Sequence, residues 1–322
     1  MYLVTGAAGF IGFHLSLAIL KKGHSVVGLD NVNDYYNKKI KYDRLKILKK
    51  FSKFHFLKVD LSNKKALHNK INKYKKKVSI IIHLAGQAGV RYSIINPMTY
   101  IKNNIMSYIN LLDFFKNKKN IKLIIYASSS SIYGDLSSKK TISSEPQVNP
   151  ISVYSASKLS MELISKVYHH IYTMSFIGIR FFSVYGPWGR PDMFYLKFLN
   201  SLKNNKKIKI YNHGKHYRSF TYIDDVISNL FKVINKFSNS KKKICDVFNI
   251  GNPNSIYLKK FIDILEKKMG KKAKKLYISK QLGDLVTTKS NIIREKKIFN
   301  HQTKTTLSKG SEKLIKWFNS YY

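Results

Sequence analysis

Nearly continuous apolar runs alternate with helix-spaced patterns through the first half of the chain. "YLVTG" (2–6), "SVVGLD" (25–30), "FHFLKVD" (54–60), "SIIIHLAG" (79–86) and "KLIIYASS" (122–129) carry few polar interruptions, the mark of strands buried on both faces. Between them lie stretches such as Phe10–Lys22 and Pro97–Lys116, with apolar residues three and four apart. Strands in alternation with helices predict an α/β fold built on a doubly wound parallel sheet. "SFIGIRFFSVYG" (175–186) reads as a sixth strand running into a loop.

Beyond that point the pattern is less regular. "GPWGRPD" (186–192) is turn chemistry, and a helix is predicted from Met193 to about Asn204. "KIKIY" (207–211), "FTYIDDVISNLFKVI" (220–234) and "DVFNIG" (246–251) supply short strands and a helix. "SIYLKKFIDILEKKMG" (255–270) is an amphipathic helix ended by Gly270, and "TLSKGSEKLIKWFNSYY" is a last helix. No repeat or low-complexity linker interrupts the chain. The expected division is a dinucleotide-binding domain over 1–182, to which 219–250 returns, and a smaller domain made of 183–218 and 251–322.

Composition narrows the class. With 44% hydrophobic and 13% aromatic residues in 322, the chain has the means to bury a sizeable core. No run of about 18 apolar residues is present, so a spanning helix is not expected. The first strand follows Met1 directly, leaving no room for a signal peptide, and the single Cys245 fits a reducing cytoplasm. The 59 basic residues against 17 acids give a formal charge of +42. Such a field favours anionic ligands and is able to hold nucleic acid nonspecifically. Yet the lysines are scattered in ones to threes and no nucleic-acid motif appears. They read as a diffuse solvated surface.

Chemistry concentrates in three places. "VTGAAGFIGFHL" sets Gly6, Gly9 and Gly12 between the first strand and the first helix, where backbone N–H groups can approach a pyrophosphate. Asp30 ends the next strand, placed to bind ribose hydroxyls and repel a 2′-phosphate, which favours NAD over NADP. Asp60 ends the third strand, either near the adenine or as a strand-end cap. "YSASK" puts Lys158 four residues after Tyr154, on one helical face, so that an ammonium can lower a tyrosine's pKa toward general-base use. Tyr35–Lys39, Tyr42–Lys46 and Tyr211–Lys215 repeat the spacing but lack the position after a sheet strand, and read as surface pairs. Finally, "ASSSSIYGD" (127–135) ends a strand with a shelf of hydroxyls and no carboxylate before Asp135.

Together these residues resemble the extended short-chain dehydrogenase/reductases, Rossmann-type enzymes of nucleotide sugars. "DNVNDYY" (30–36), "AGQAGVRYS" (85–93), "YASSSSIYG" (126–134), "RFFSVYGPWGRPDM" (180–193) and "RSFTYIDD" (218–225) are similar to bacterial UDP-glucuronate 4-epimerases almost end to end. The resemblance implies a catalytic set of Ser129, Tyr154 and Lys158. It implies an NAD site of Gly6, Gly9, Phe10, Ile11, Gly12, Asp30, Asn31, Asp60, Leu61, Leu84, Ala85, Gln87, Asn103, Tyr154, Lys158 and Phe182. Arg91, Ser130, Ser131, Ser183, Arg190, Tyr211, Arg218 and Asp284 would face the sugar nucleotide. It also implies a homodimer formed through the helices around Pro97–Lys116 and Ser152–Tyr172. The chain departs from the family at Phe194 for alanine, Ser219 for aspartate and Leu282 for proline.

Relatives that eliminate water or decarboxylate carry an acid in the serine stretch; here Ile132 precedes Tyr133. Elimination needs a positioned acid and base, so an epimerase is the expected activity. UDP-glucose or UDP-N-acetylhexosamine remain alternative substrates, and an inert basic NAD-binding protein acting on nucleic acid is the distant alternative. His83 and His14 read as packed residues, no metal spacing is present, and Trp188 serves either as a substrate cover or in packing.

Overall fold

The computed structural model describes residues 1–135 and 147–322. Its centre is a seven-stranded sheet. Strands β1 (Tyr2–Thr5), β2 (Val26–Asp30), β3 (Phe54–Lys58), β4 (Ile80–His83), β5 (Leu123–Ser129) and β6 (Phe176–Phe181) are joined by an edge strand, Cys245–Ile250. Their order is Cys245–Ile250, β6, β5, β4, β1, β2, β3. Every pairing is parallel. From β1 the chain winds outward through β2 and β3, then returns to β4 and winds the other way. That reversal opens a crevice at the carboxyl ends of β1 and β4, where doubly wound sheets take their ligands.

Helices cover both faces. One buried cluster joins Phe13, Leu15 and Ile19 of the helix Phe10–Lys21 to the sheet and continues into Phe198, Phe261 and Phe318. The other packs Tyr108, Leu111, Phe115 and Met161 against the opposite face. β1 pairs Thr5 with His83 on β4, and Thr5 Oγ1 lies 2.9 Å from His83 Nδ1. Fully buried and stacked on Tyr108, His83 is held neutral, its pKa lowered to about 3 by desolvation. It is a packed sheet-end residue. Among the described residues, no helix is long and apolar enough to cross a membrane.

Several elements differ from the expected ones. The predicted helix Pro97–Lys116 is three pieces: Pro97–Tyr100, a π-helical stretch Ile101–Met106, and Ser107–Phe115. The predicted sixth strand divides after Phe181, because Ser183–Tyr185 leaves the sheet to pair with Phe220–Tyr222. Helices Lys38–Leu48 and Lys64–Ile71 arise from lysine-rich text with few apolar positions. Their starts are fixed by the side chains of Asn37 and Asn63, which accept from Lys39 N and Ala66 N at 2.9 and 3.0 Å. Gly270 ends Leu258–Met269 in the left-handed region, as its position predicts.

Candidate active site

A cleft of about 440 Å³ opens along the crevice. Its floor is the glycine turn. Gly6 and Ala7 both donate to the Leu29 carbonyl, at 2.7 and 3.1 Å. The turn is so tight that a Cβ on Gly12 would stand 2.1 Å from the Gly6 carbonyl oxygen, and one on Gly6 2.8 Å from Ala85 N. The helix Phe10–Lys21 then begins with neither a side-chain cap nor an acid in its first turn. Its unpaired N–H groups and positive end therefore suit a pyrophosphate. The Asp30 carboxylate accepts from Ala8 N at 3.1 Å and Val32 N at 2.8 Å, while burial raises its pKa. Phe10, Ile11, Asn31, Asp60, Leu61, Leu84, Ala85, Gln87, Asn103 and Phe182 all line the same cleft. Asp60 also closes its own turn, accepting from Ser62 N and Oγ at 2.9 and 2.7 Å. The set fits NAD: an uncapped helix for the phosphates, a carboxylate for the ribose, and apolar walls for the rings.

The helix Val153–Tyr172 starts at a capping box, in which Ser155 N donates to Ser152 Oγ at 3.1 Å and Ser152 N to Ser155 Oγ at 3.0 Å. One turn apart, Tyr154 and Lys158 both reach the cleft, as does Ser129 at the end of β5. Burial raises the pKa of Tyr154, with the Ser129 hydroxyl and the Arg190 charge pulling it back. The expectation that Lys158 lowers it is not met in this arrangement. Lys158 Nζ instead donates to the Ala127 carbonyl at 2.9 Å, and desolvation lowers its own pKa to about 8.

Among the described residues, the acid that meets the serine stretch is already paired. That acid, the buried Glu162, accepts from Ser128 Oγ at 2.5 Å and from Arg180 Nε and Nη2 at 2.9 and 2.7 Å. Arg180 also donates to Tyr133 Oη, which donates to Asn249 Oδ1, both at 2.8 Å. Glu162 lies two turns after Tyr154 on the same helix, so this network ties β5 to the helix that carries Tyr154 and Lys158. Asp135 accepts from Val286 N and Thr287 N at 3.1 and 3.2 Å.

On the sugar side the expected residues fall into two groups. Ser130, Ser131, Ser183 and Arg190 line the cleft. Among the described residues, the hydroxyls of those three serines have no hydrogen-bond partner within 3.5 Å. Arg91, Tyr211, Arg218 and Asp284 do not line it. They gather beside it, where Arg91 Nε and Nη2 donate to Asp284 Oδ1 and Oδ2 at 3.0 and 2.6 Å, with the guanidinium 3.9 Å from the Tyr211 ring centroid. Arg218 donates to the Val286 carbonyl at 2.8 Å.

Sequence reasoning missed Tyr35, Tyr36, Lys41, Gly86 and Met193, which line the cleft, and Asn104 behind it. Tyr35 is therefore not a surface pair, Tyr211 lies against Arg91 beside the cleft, and Tyr42 is half exposed. Asn104 sits in the π-helical stretch, accepts from Gln87 N at 2.7 Å and donates to Ser157 Oγ at 2.8 Å. The extra residue in that turn carries its side chain inward, a use of π-helix that periodicity cannot reveal. Trp188 packs between Phe13, Trp317 and Tyr321 and does not line the cleft. Of the departures, Ser219 is fully buried and donates to the Asn252 carbonyl at 2.5 Å, Phe194 packs at a tilt against Phe198, and Leu282 is exposed.

Known proteins share both fold and text. Residues 2–251 match the model of the NAD dependent epimerase/dehydratase family. The chain is 40% identical to protein CapI of Staphylococcus aureus, over 99% of this chain and 98% of that one. It is 38% identical to the UDP-glucuronate 4-epimerase of Thermodesulfobacterium geofontis, over 98% and 95%. The structure of UDP-glucuronic acid 4-epimerase from Bacillus cereus, in complex with UDP-glucuronic acid and NAD, superposes with a TM-score of 0.90 at 32% identity, covering 100% of this chain and 99% of that one. A glycine turn and a Tyr154–Lys158 pair on this sheet, with relatives of this likeness, place the chain in the NAD-dependent epimerase/dehydratase family.

Proposed function

We propose that the protein is a UDP-glucuronate 4-epimerase, interconverting UDP-glucuronate and UDP-galacturonate through a transient 4-keto sugar. The observation that carries this reading is the hydroxyl shelf. Ser129 and Tyr154 share the cleft with three serine hydroxyls that are unpartnered among the described residues, and Glu162, the carboxylate that meets Ser128, is paired with Arg180. Tyr154 takes the proton from the sugar O4 while Ser129 holds that oxygen. The Ser129 hydroxyl and the Arg190 charge steady the resulting phenolate, and Lys158 is assigned to the nicotinamide ribose. NAD⁺, held by the glycine turn and Asp30, would accept the C4 hydride and return it to the other face of the 4-keto sugar, so there would be no net redox change. Tyr154 then gives the proton back.

Ser130, Ser131 and Ser183 are assigned to the C5 carboxylate, which must be held against loss as CO₂ from a β-keto acid. Arg190, Tyr211, Arg218 and Asp284, contributed by 183–218 and 251–322, are assigned to the nucleotide together with Arg91 of the first domain, which pairs with Asp284. A homodimer is supported by apolar residues left exposed on two neighbouring helical segments: Met98 and Met106 on one, Leu163, Val167 and Ile171 on the other. Cytoplasmic synthesis of polysaccharide precursors is the setting this product suits. The test is incubation of purified protein with UDP-glucuronate, UDP-glucose and UDP-N-acetylhexosamines, followed by separation of products. Galacturonate formation is expected. Turnover of neutral sugars alone would shift the assignment to a hexose epimerase.

A further inference from the structure

Arg44, on the helix Lys38–Leu48, is fully buried, yet among the described residues no carboxylate oxygen lies within 4.0 Å of its nitrogens. Its guanidinium is spent on backbone. Nη1 donates to the Ala8 carbonyl at 2.8 Å and to Tyr36 Oη at 3.0 Å. Nη2 donates to the carbonyls of Trp188 at 2.6 Å and Gly189 at 3.0 Å. A buried cation with no carboxylate in contact is costly even with the Asp30 charge near enough to act on it, so this arrangement calls for an explanation.

The partners supply one. Ala8 lies inside the glycine turn, and its own N–H is already held by Asp30. Trp188 and Gly189 lie in the loop that carries Arg190, which pairs with Asp192 at 3.0 and 2.7 Å and lines the cleft. Trp188 adopts a left-handed backbone, with φ of +58°, a conformation that a bulky residue keeps only when its surroundings impose it. The planar fork of one guanidinium thus spans the gap between the phosphate turn and the loop bearing Arg190. A lysine ammonium, a single point charge, cannot serve both with the same geometry.

We infer that Arg44 is a positioning residue that ties the phosphate turn to the Trp188–Arg190 loop, so that cofactor and sugar nucleotide favour the same arrangement of both. The inference rests on the assignment of the cleft to NAD and a UDP-sugar. It predicts that the two ligands help each other bind, by a factor within the usual range of about 5- to 150-fold for coupled sites.

The experiment titrates NAD into the protein with and without saturating UDP, for wild type and Arg44→Lys, alongside thermal melts. In wild type, UDP should tighten NAD at least about fivefold. In Arg44→Lys the factor should fall toward one. A merely structural role would lower the melting temperature and leave the ratio of affinities unchanged. Gly189→Ala is the second variant, since its Cβ would stand 2.1 Å from Tyr195 Oη and displace the loop from the far side. It should weaken NAD binding although Gly189 does not line the cleft. Absence of coupling in wild type, equal coupling in Arg44→Lys, or unchanged NAD affinity in Gly189→Ala would each overturn the inference. Because UDP is the probe, a preference for another UDP-sugar would count against the proposed substrate and not against Arg44.

Discussion

The two walls of the cleft are built by different means. On the cofactor side the parts are mostly backbone: a glycine turn, an uncapped helix, and carboxylates at the ends of parallel strands. On the other side they are side chains from separate elements, with Ser183 and Arg190 in the cleft and the Arg91–Asp284 pair held against Tyr211 beside it. A backbone wall is rigid before any ligand arrives. A side-chain wall can exchange partners, because an Arg–Asp pair that is partly exposed is worth little on its own. The first is suited to a cofactor that stays, the second to substrates that come and go.

This contrast can be broken at several points. The largest effect belongs to the chemistry at the junction of the walls. Tyr154→Phe should keep NAD and UDP-sugar affinity while losing at least about two orders of magnitude in rate, the usual scale for a general base. Near-normal turnover would remove the mechanism. Next come Ser130→Ala, Ser131→Ala and Ser183→Ala. Each lost charge-assisted hydrogen bond, about 1.5–3 kcal/mol, should raise the KM for UDP-glucuronate by roughly ten- to a hundredfold and release more CO₂. UDP-glucose kinetics should barely change. Unaltered affinity and no added CO₂ in all three would reduce the shelf to turn residues.

A smaller effect is expected at the side-chain wall. Asp284→Asn removes the bidentate partner of Arg91 and should raise the KM for UDP-sugars several-fold, with NAD affinity unchanged. A larger loss of NAD than of UDP would show that the walls are not separable there. The smallest effect is on stability in acid. Burial lowers the pKa of His83 to about 3 and those of His14 and His301 to about 4, below the ordinary 6.5. Between those values the unfolded chain binds more protons than the folded one, so stability is full above pH 6.5 and declines as pH falls toward 4. Melting temperatures across that range should drop, and His83→Gln should flatten part of the slope.

The same contrast explains what the amino-acid text disclosed. Gly6, Asp30 and the serines of β5 sit where strand ends must sit, and strand ends can be read from apolar runs. Tyr154 is separable from Tyr35 by its place after a strand, but that argument wrongly sends Tyr35 to the surface, and the spacing says nothing of Tyr211, which only the resemblance places at the sugar nucleotide. Tyr35 enters the cleft from a loop between β2 and the helix Lys38–Leu48, and Tyr211 meets Arg91 across 120 positions of sequence, a distance no local pattern records. Asn104 was hidden for another reason. The π-helical stretch changes which side chains face inward, whereas the expected helix assumed a constant period. The charge of Lys158 was expected to act on Tyr154, yet its direct partner proved to be the Ala127 carbonyl, a matter of rotamer and not of spacing.

The packing of Trp188 against Trp317 has an optical consequence. These are the chain's two tryptophans, and their rings stand 5.5 Å apart. Emission excited at the red edge of the absorption band therefore reports on one locality, the meeting of the Arg190 loop with the helix Leu307–Tyr321. The 22 tyrosines act as donors to it. The unlabelled protein carries its own gauge of loop position, readable on a stopped-flow instrument as each ligand is added.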